Sequence, residues 1–176
     1  MPDVPGPTAP LLVTERGTVL AFTFADLMRF HGPGAPGGVA HAFKVLERGL
    51  PLLGGGGAPP ERRELTVATA FGGPGARDGI ELVTRAVSDG RFVVDPALRR
   101  PGLGPERERF VFRLACGGRA VELVLREGFV TPEFAALAFA PERDAGQDAR
   151  LEVLKPQLAA RLMGAAAEDV YDATVL

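Results

Sequence analysis

Arg109-Phe110-Val111-Phe112-Arg113-Leu114-Ala115-Cys116-Gly117-Gly118-Arg119-Ala120-Val121-Glu122-Leu123-Val124-Leu125-Arg126-Glu127 is the stretch on which the fold turns. Phe110, Phe112 and Leu114 alternate with Arg109, Val111 and Arg113; Val121, Leu123 and Leu125 alternate with Glu122, Val124 and Arg126. A period of two belongs to a strand that lays one face on a core. Gly117-Gly118, between the two runs, suits the positive φ angles of a two-residue hairpin turn. The segment therefore predicts an antiparallel hairpin over 109–116 and 119–127.

Working toward the N-terminus, 91–95 reads as a short strand, and 65–71 as another through Leu65, Val67, Thr69 and Phe71. Gly72-Gly73-Pro74-Gly75 breaks the chain and feeds a helix over 76–88, with Ile80, Val83 and Val87 as its buried stripe. Thr23-Phe24-Ala25-Asp26 has the form of a capping box with Asp in place of Glu, and Phe24, Leu27, Met28 and Phe30 follow at helical spacing. That helix must stop in the Gly/Pro-rich 31–38. A second carries Val39, Phe43, Leu46 and Leu50 and is expected to end at Gly49-Leu50-Pro51. Toward the C-terminus, Thr131-Pro132-Glu133 opens a helix with Thr as N-cap and Pro at its first position. Residues 148–163 and 165–171 read as two more, the longer disturbed at Pro156. Residues 11–21 hold a short extended piece turning at Gly17. Residues 1–10, with prolines at 2, 5, 7 and 10, read as loosely draped. The order α-α-β-α-β-β-β followed by C-terminal helices predicts an α+β fold: a mixed four-stranded sheet with helices packed on it. Residues 1–21 are then a flexible tail and lead-in, and 22–176 a single domain.

Twenty basic and 22 acidic residues leave a net charge of −2, which gives no electrostatic reason to expect nucleic acid or an anionic membrane as partner. One cysteine, Cys116, excludes an internal disulfide and any Cys-ligated zinc or iron–sulfur cluster. The N-terminus has neither the basic nor the apolar region of a secretory signal, and no apolar run approaches the ~20 residues that span a bilayer. Cytoplasmic placement is the expectation.

Phe30-His31-Gly32-Pro33-Gly34-Ala35-Pro36-Gly37 resembles the motif Phe-His-Gly-His-x-Cys-Pro-Gly of the FmdE (formylmethanofuran dehydrogenase E-like) family, at the same kind of break between two helices. Gly75-Ala76-Arg77-Asp78-Gly79-Ile80 is similar to that family's Cys-Ala-Val-Asp-Ala-Ile, and Thr84-Arg85-Ala86 falls where Thr-Gly-Cys is usual. Ala167-Glu168-Asp169-Val170-Tyr171 resembles its closing Pro-Glu-Glu-Leu-Phe. The resemblance covers roughly residues 22–172. It sets family cysteines at Ala35, Gly75 and Ala86 and a second histidine at Pro33, so the metal- or redox-capable thiols are gone from an otherwise similar scaffold. The family's zinc-ribbon extension is absent, and its molybdenum or tungsten association does not carry over. Family members pair, which implies a homodimer, and the hairpin's open edge agrees with pairing.

The resemblance implies a cleft built from 30–38 and 75–86, with Gly32, Gly37, Thr84 and Arg85 as substrate contacts and Arg85 holding an anionic group. His31, at a helix end beside a Gly/Pro loop, can ligate a metal or act as base. Asp78, in the first turn of its helix, would orient it. Two ligands and water hold a divalent metal only weakly, since stable sites use three or four protein ligands. His41 reads as a surface or packed histidine, Cys116 as an inert thiol, and Gly72-Gly73-Pro74-Gly75 as a turn without the lysine of a P-loop. Two functions follow: a small-molecule-binding or catalytic protein, or a non-catalytic dimeric assembly module with Phe129, Phe134 and Phe139 as an exposed apolar patch. A pre-formed pocket at His31 favours the first; a pocket filled by Pro33 and Ala35 favours the second.

Overall fold

The computed structural model describes residues 8–176, so the draped tail expected over 1–10 lies largely outside the described residues. The fold is α+β. Strands β1 (Leu11–Glu15) and β2 (Thr18–Phe22) form an antiparallel hairpin that turns at Arg16-Gly17. The expected flexible lead-in is thus an ordered ribbon. Leu11 and Val13 enter the core, and Thr14 is held by the Pro59 and Pro60 carbonyls at 3.1 and 2.9 Å.

Helices α1 (Phe24–His31) and α2 (Pro36–Leu53) follow. At the start of α1 the Thr23 hydroxyl accepts from Asp26 N–H at 3.2 Å, and the Asp26 carboxylate accepts from Thr23 N–H at 2.8 Å. Because this reciprocal cap starts the helix that ends at His31, Thr23→Ala should cost about 1 kcal/mol, lowering the melting temperature by roughly 2–4 °C in a thermal scan. Helix α2 does not stop at Gly49-Leu50-Pro51 as expected. Pro51 is exposed, so the Glu47 carbonyl it leaves without a donor can bond water and the helix runs on to Leu53.

Strand β3 (Thr66–Thr69), helix α3 (Pro74–Thr84) and strand β4 (Phe92–Val94) make a βαβ unit whose strands pair in parallel, Val67 opposite Phe92. Helix α3 is shorter than the 76–88 predicted. Arg85 leaves the helix at φ 57, and the last carbonyls are taken by guanidiniums: Leu82 and Val83 by Arg62, Thr84 by Arg91. Cations there complement the negative end of the helix dipole.

Strands β5 (Val111–Cys116) and β6 (Arg119–Leu125) form the predicted hairpin. Gly117 and Gly118 turn it at φ 58 and 79, angles that a residue with a Cβ resists. Arg113 faces Glu122 across the pair, and its Nε donates to the carboxylate at 2.8 Å; Arg100 donates to the same group. These arginines hold the Glu122 carboxyl below its ordinary range, although burial works against them.

After α4 (Pro132–Ala138) and α5 (Ala145–Met163) the chain departs from expectation. In place of the single helix expected over 165–171, α6 is four residues long (Ala167–Val170), and Tyr171–Val175 forms β7, antiparallel to β6. The main sheet therefore has five strands, not four, in the order β4-β3-β5-β6-β7. Pro156 does not break α5. It is exposed, so the carbonyl it leaves without a donor can bond water.

Helix α2 lies against β5, β6 and β7 on one face and against α3 and α5 on its other sides. Its Val39, Ala42, Phe43, Val45 and Leu46 are buried beside Phe112, Leu114, Leu123 and Tyr171 in one continuous core. A smaller cluster of Ala70, Leu98 and Val111 lies separately from it.

Candidate functional site

Helix α1 ends at His31 because Gly32 follows at φ 86 with its N–H on the Met28 carbonyl at 2.7 Å. Helix α1 packs on α3, so its last turn comes beside the first turns of α3. His31 Nδ1 and Asp78 Oδ2 meet at 2.8 Å. The His31 side chain is only 9% exposed, while Asp78 is 32% exposed and has Arg77 at 3.8 Å from its other oxygen. With Asp78 ionised, Nδ1 is the donor and the Nε2 lone pair is free. Among the described residues no group hydrogen-bonds Nε2, and the ring lines an open cleft of about 620 Å³.

The cleft lies between Gly34-Ala35 at the start of α2, Gly72-Gly73-Pro74 at the start of α3, and Phe134, Ala138 and Phe139 at α4. Arg109, Arg143 and Lys155 complete it. Arg109 stacks on the Phe139 ring at 4.0 Å. Arg143 Nη1 donates to the Leu137 carbonyl at 2.9 Å, and Lys155 Nζ donates to the Gly34 carbonyl at 3.2 Å. A Cβ added at Gly34 would stand 4.0 Å from His31 Nε2, so Lys155 reaches from α5 to the same short loop that adjoins the histidine. A second, apolar depression of about 370 Å³ lies at the far end of α2 between Leu12, Leu50 and Pro59, away from the His–Asp pair.

The expected substrate contacts are distributed otherwise. Gly32 turns the chain, while its neighbours Gly34 and Ala35 line the cleft. Gly37 is buried under α5: a Cβ there would come within 2.8 Å of Leu158. Thr84 is fully buried, its hydroxyl donating to the Ile80 carbonyl at 2.7 Å and accepting from Ala86 N–H at 3.1 Å. Arg85 sits past the end of α3 near Glu81, 3.9 Å away. Both lie six or seven residues beyond Asp78, roughly 10 Å along the helix axis, and neither lines the cleft. Among the described residues no three of His, Cys, Asp and Glu gather as a metal site would require. A metal at His31 would find Asp78 alone, and Asp78 already engages the other ring nitrogen.

Sequence reasoning missed Arg109, Arg143 and Lys155. Arg109 reads locally as the outward-facing first residue of a hairpin strand, and the other two share no motif with His31. Phe134 and Phe139 are not an exposed patch: they are half-buried on the cleft wall, and Phe129 packs against the core. Positions 35 and 75, where the resemblance sets cysteines, are in contact. A Cβ on Gly75 would stand 3.2 Å from Ala35 Cβ.

His41 is buried within α2, stacked on Phe110 with ring centroids 4.3 Å apart. Its Nδ1 is 2.7 Å from the Tyr171 hydroxyl, and Nε2 has no partner. The hydroxyl donates, since the reverse arrangement would leave its own hydrogen unpaired as well. Burial pulls the His41 pKa down to about 3 and pushes Tyr171 well up. Burial also raises the Cys116 thiol, whose Sγ lies 3.7 Å from the Glu61 carbonyl, so it is held as an unreactive thiol. No described helix is long and apolar enough to cross a membrane. No family model matches this chain, and a search of the curated proteins finds no match either.

Proposed function

We propose that this chain is an FmdE-like protein whose cleft binds a small molecule and in which His31, oriented by Asp78, moves a proton. One observation carries the reading: a nine-tenths buried imidazole bonded through Nδ1 to a carboxylate, with Nε2 unpartnered on an open cleft. The Asp78 carboxylate orients the ring and fixes the tautomer with the lone pair on Nε2, the atom that would take the proton. Pro33 does not line the cleft and Ala35 lines it without filling it, which favours a ligand site over a vestigial one. The contact between positions 35 and 75 supports the FmdE-like reading, in which a thiol pair has been replaced by Ala and Gly. With its one cysteine reduced and buried, the protein suits the cytoplasm.

Two histidines make the test direct. In ¹⁵N-detected NMR, His31 should report the Nδ1–H tautomer, and Asp78→Asn should shift that signal while His41 stays neutral. On a substrate the wild type turns over, His31→Asn should lower kcat/KM by about 10²–10⁴-fold. An Nε2–H tautomer in the wild type, or unchanged turnover in the variant, would sink the reading.

A second reading is supported by the outer edge of β7, an end strand of the sheet with Val175 exposed. Such an edge can pair with another copy and form a homodimer. Native mass spectrometry of the purified chain reads copy number and bound mass together; a clean monomer would remove this reading.

A further inference from the structure

The cleft combines three features that select one kind of ligand. The starts of α2 and α3 converge there. Helix α2 begins at Ala35 and α3 at Gly73, neither has a side-chain cap, and both carry proline at the first position. Their first helical amide bonds are Val39 N–H to Ala35 at 3.2 Å and Arg77 N–H to Gly73 at 3.1 Å; Ala35 and Gly73 line the cleft while Gly37, Gly38, Gly75 and Ala76 pack away from it, so the helix starts offer it their dipoles and not a row of free donors. The positive ends of two helix dipoles, from helices of 18 and 11 residues, thus meet at one place.

The side chains add to the same sign. Arg109, Arg143 and Lys155 line the cleft, and no carboxylate does. Each is paired with a carboxylate that does not line the cleft: Glu108 at 3.4 Å from Arg109, Asp148 at 2.7 Å from Arg143, and Glu152 on Lys155. Asp148 and Glu152 are 58% and 64% exposed, where water and salt screen them. His31, nine-tenths buried with a free Nε2, is the independent sign of a ligand at this spot.

The remaining wall is aromatic. Phe71 and Phe139 stand edge to face with centroids 6.5 Å apart, and Phe134 and Leu151 lie alongside. A volume near 620 Å³ is too large for a bare inorganic ion and within the range of small-molecule sites.

We infer that the cleft takes a small organic anion with a flat apolar body. Its carboxylate or phosphate head lies at the paired helix starts beside Arg109 and Lys155, and its body lies on Phe71, Phe134 and Phe139. The inference rests on reading the cleft as a ligand site, and it does not require His31 to transfer a proton.

Calorimetric titration separates the two. Benzoate, phenyl phosphate, inorganic phosphate and neutral benzamide are titrated into the wild type, Arg109→Met, Lys155→Met and His31→Asn. At least one of benzoate and phenyl phosphate should bind, and which binds tighter identifies the head group. Benzamide and inorganic phosphate should each be at least about tenfold weaker, and each cation variant should lose about tenfold in affinity for the bound anion. Should Arg109→Met fail to fold, Lys155→Met carries the comparison. Equal binding of benzamide and benzoate, or of inorganic and phenyl phosphate, would overturn the inference. So would no binding of either aryl anion at millimolar concentration, or full affinity in Lys155→Met. Anion binding retained in His31→Asn upholds this inference whether or not that variant still transfers protons, so the two readings fail separately.

Discussion

Gly75→Ala will lower the melting temperature by roughly 5–10 °C, although it adds a single methyl group. The Cβ would stand 2.9 Å from Val39 N and 3.2 Å from Ala35 Cβ, and closer still to the Ala35 carbonyl oxygen. Two of these three are backbone atoms at the start of α2 and cannot swing away as a side-chain tip would. Relief requires α2 and α3 to part. Both are anchored, α2 by Val39 and Phe43 and α3 by Ile80 and Val83, all fully buried. Adding volume to such a contact costs about 1–3 kcal/mol. Gly102→Ala is the control: its Cβ would meet nothing within 4 Å and its φ is ordinary, so it should leave the melting temperature nearly unchanged. Equal melting of the two variants would mean that the α2–α3 contact is looser than described.

The second large effect is on pH dependence. Folded His41 resists protonation down to about pH 3, whereas in the unfolded chain it titrates near its ordinary value of 6.5. As pH falls below 6.5 the unfolded state takes up a proton that the folded state refuses, so stability declines with acidification. Between pH 7 and pH 5 this one group should remove about 2 kcal/mol, and the loss continues toward pH 3. A double variant, His41→Leu with Tyr171→Phe, removes both partners together and leaves neither unpaired. Denaturant melts at pH 7 and pH 5 should show the wild type losing about 2 kcal/mol more than the variant. Carboxylates such as Glu122 and Asp89, held down by arginines, lose their contribution only in more acidic solution and do so in both proteins. Identical pH slopes would mean that His41 is protonated in the folded protein.

The elements that sequence makes legible are those with local chemistry. The β5–β6 hairpin carries its own turn residues, and α1 carries a cap at one end and a glycine stop at the other. Strand β7 has neither. Tyr171-Asp172-Ala173-Thr174-Val175 follows a four-residue helix without a break, and only β6 beside it makes it a strand. The prolines misled for one reason: Pro51 and Pro156 both lie on wet helix faces, where water can satisfy the carbonyl each leaves free, and both helices continue.

The site was legible only in part. His31 and Asp78 are 47 residues apart, and the resemblance, not spacing, suggested the pair. Thr84 and Arg85 followed from the same resemblance, yet they stand well along α3 from the cleft. The three cations gather through tertiary packing, which periodicity and motif do not reveal.

Helix α2 is the shaft on which the other layers rest, and it divides its length between two tasks. Its N-cap, Ala35, meets the cleft, and its turns meet α3, α5, β5, β6 and β7. Changes at 34–35 or 72–74 alter the wall of the cleft while the shaft keeps its packing. The corner is therefore free to vary in size and charge without loosening the core that the rest of the helix holds.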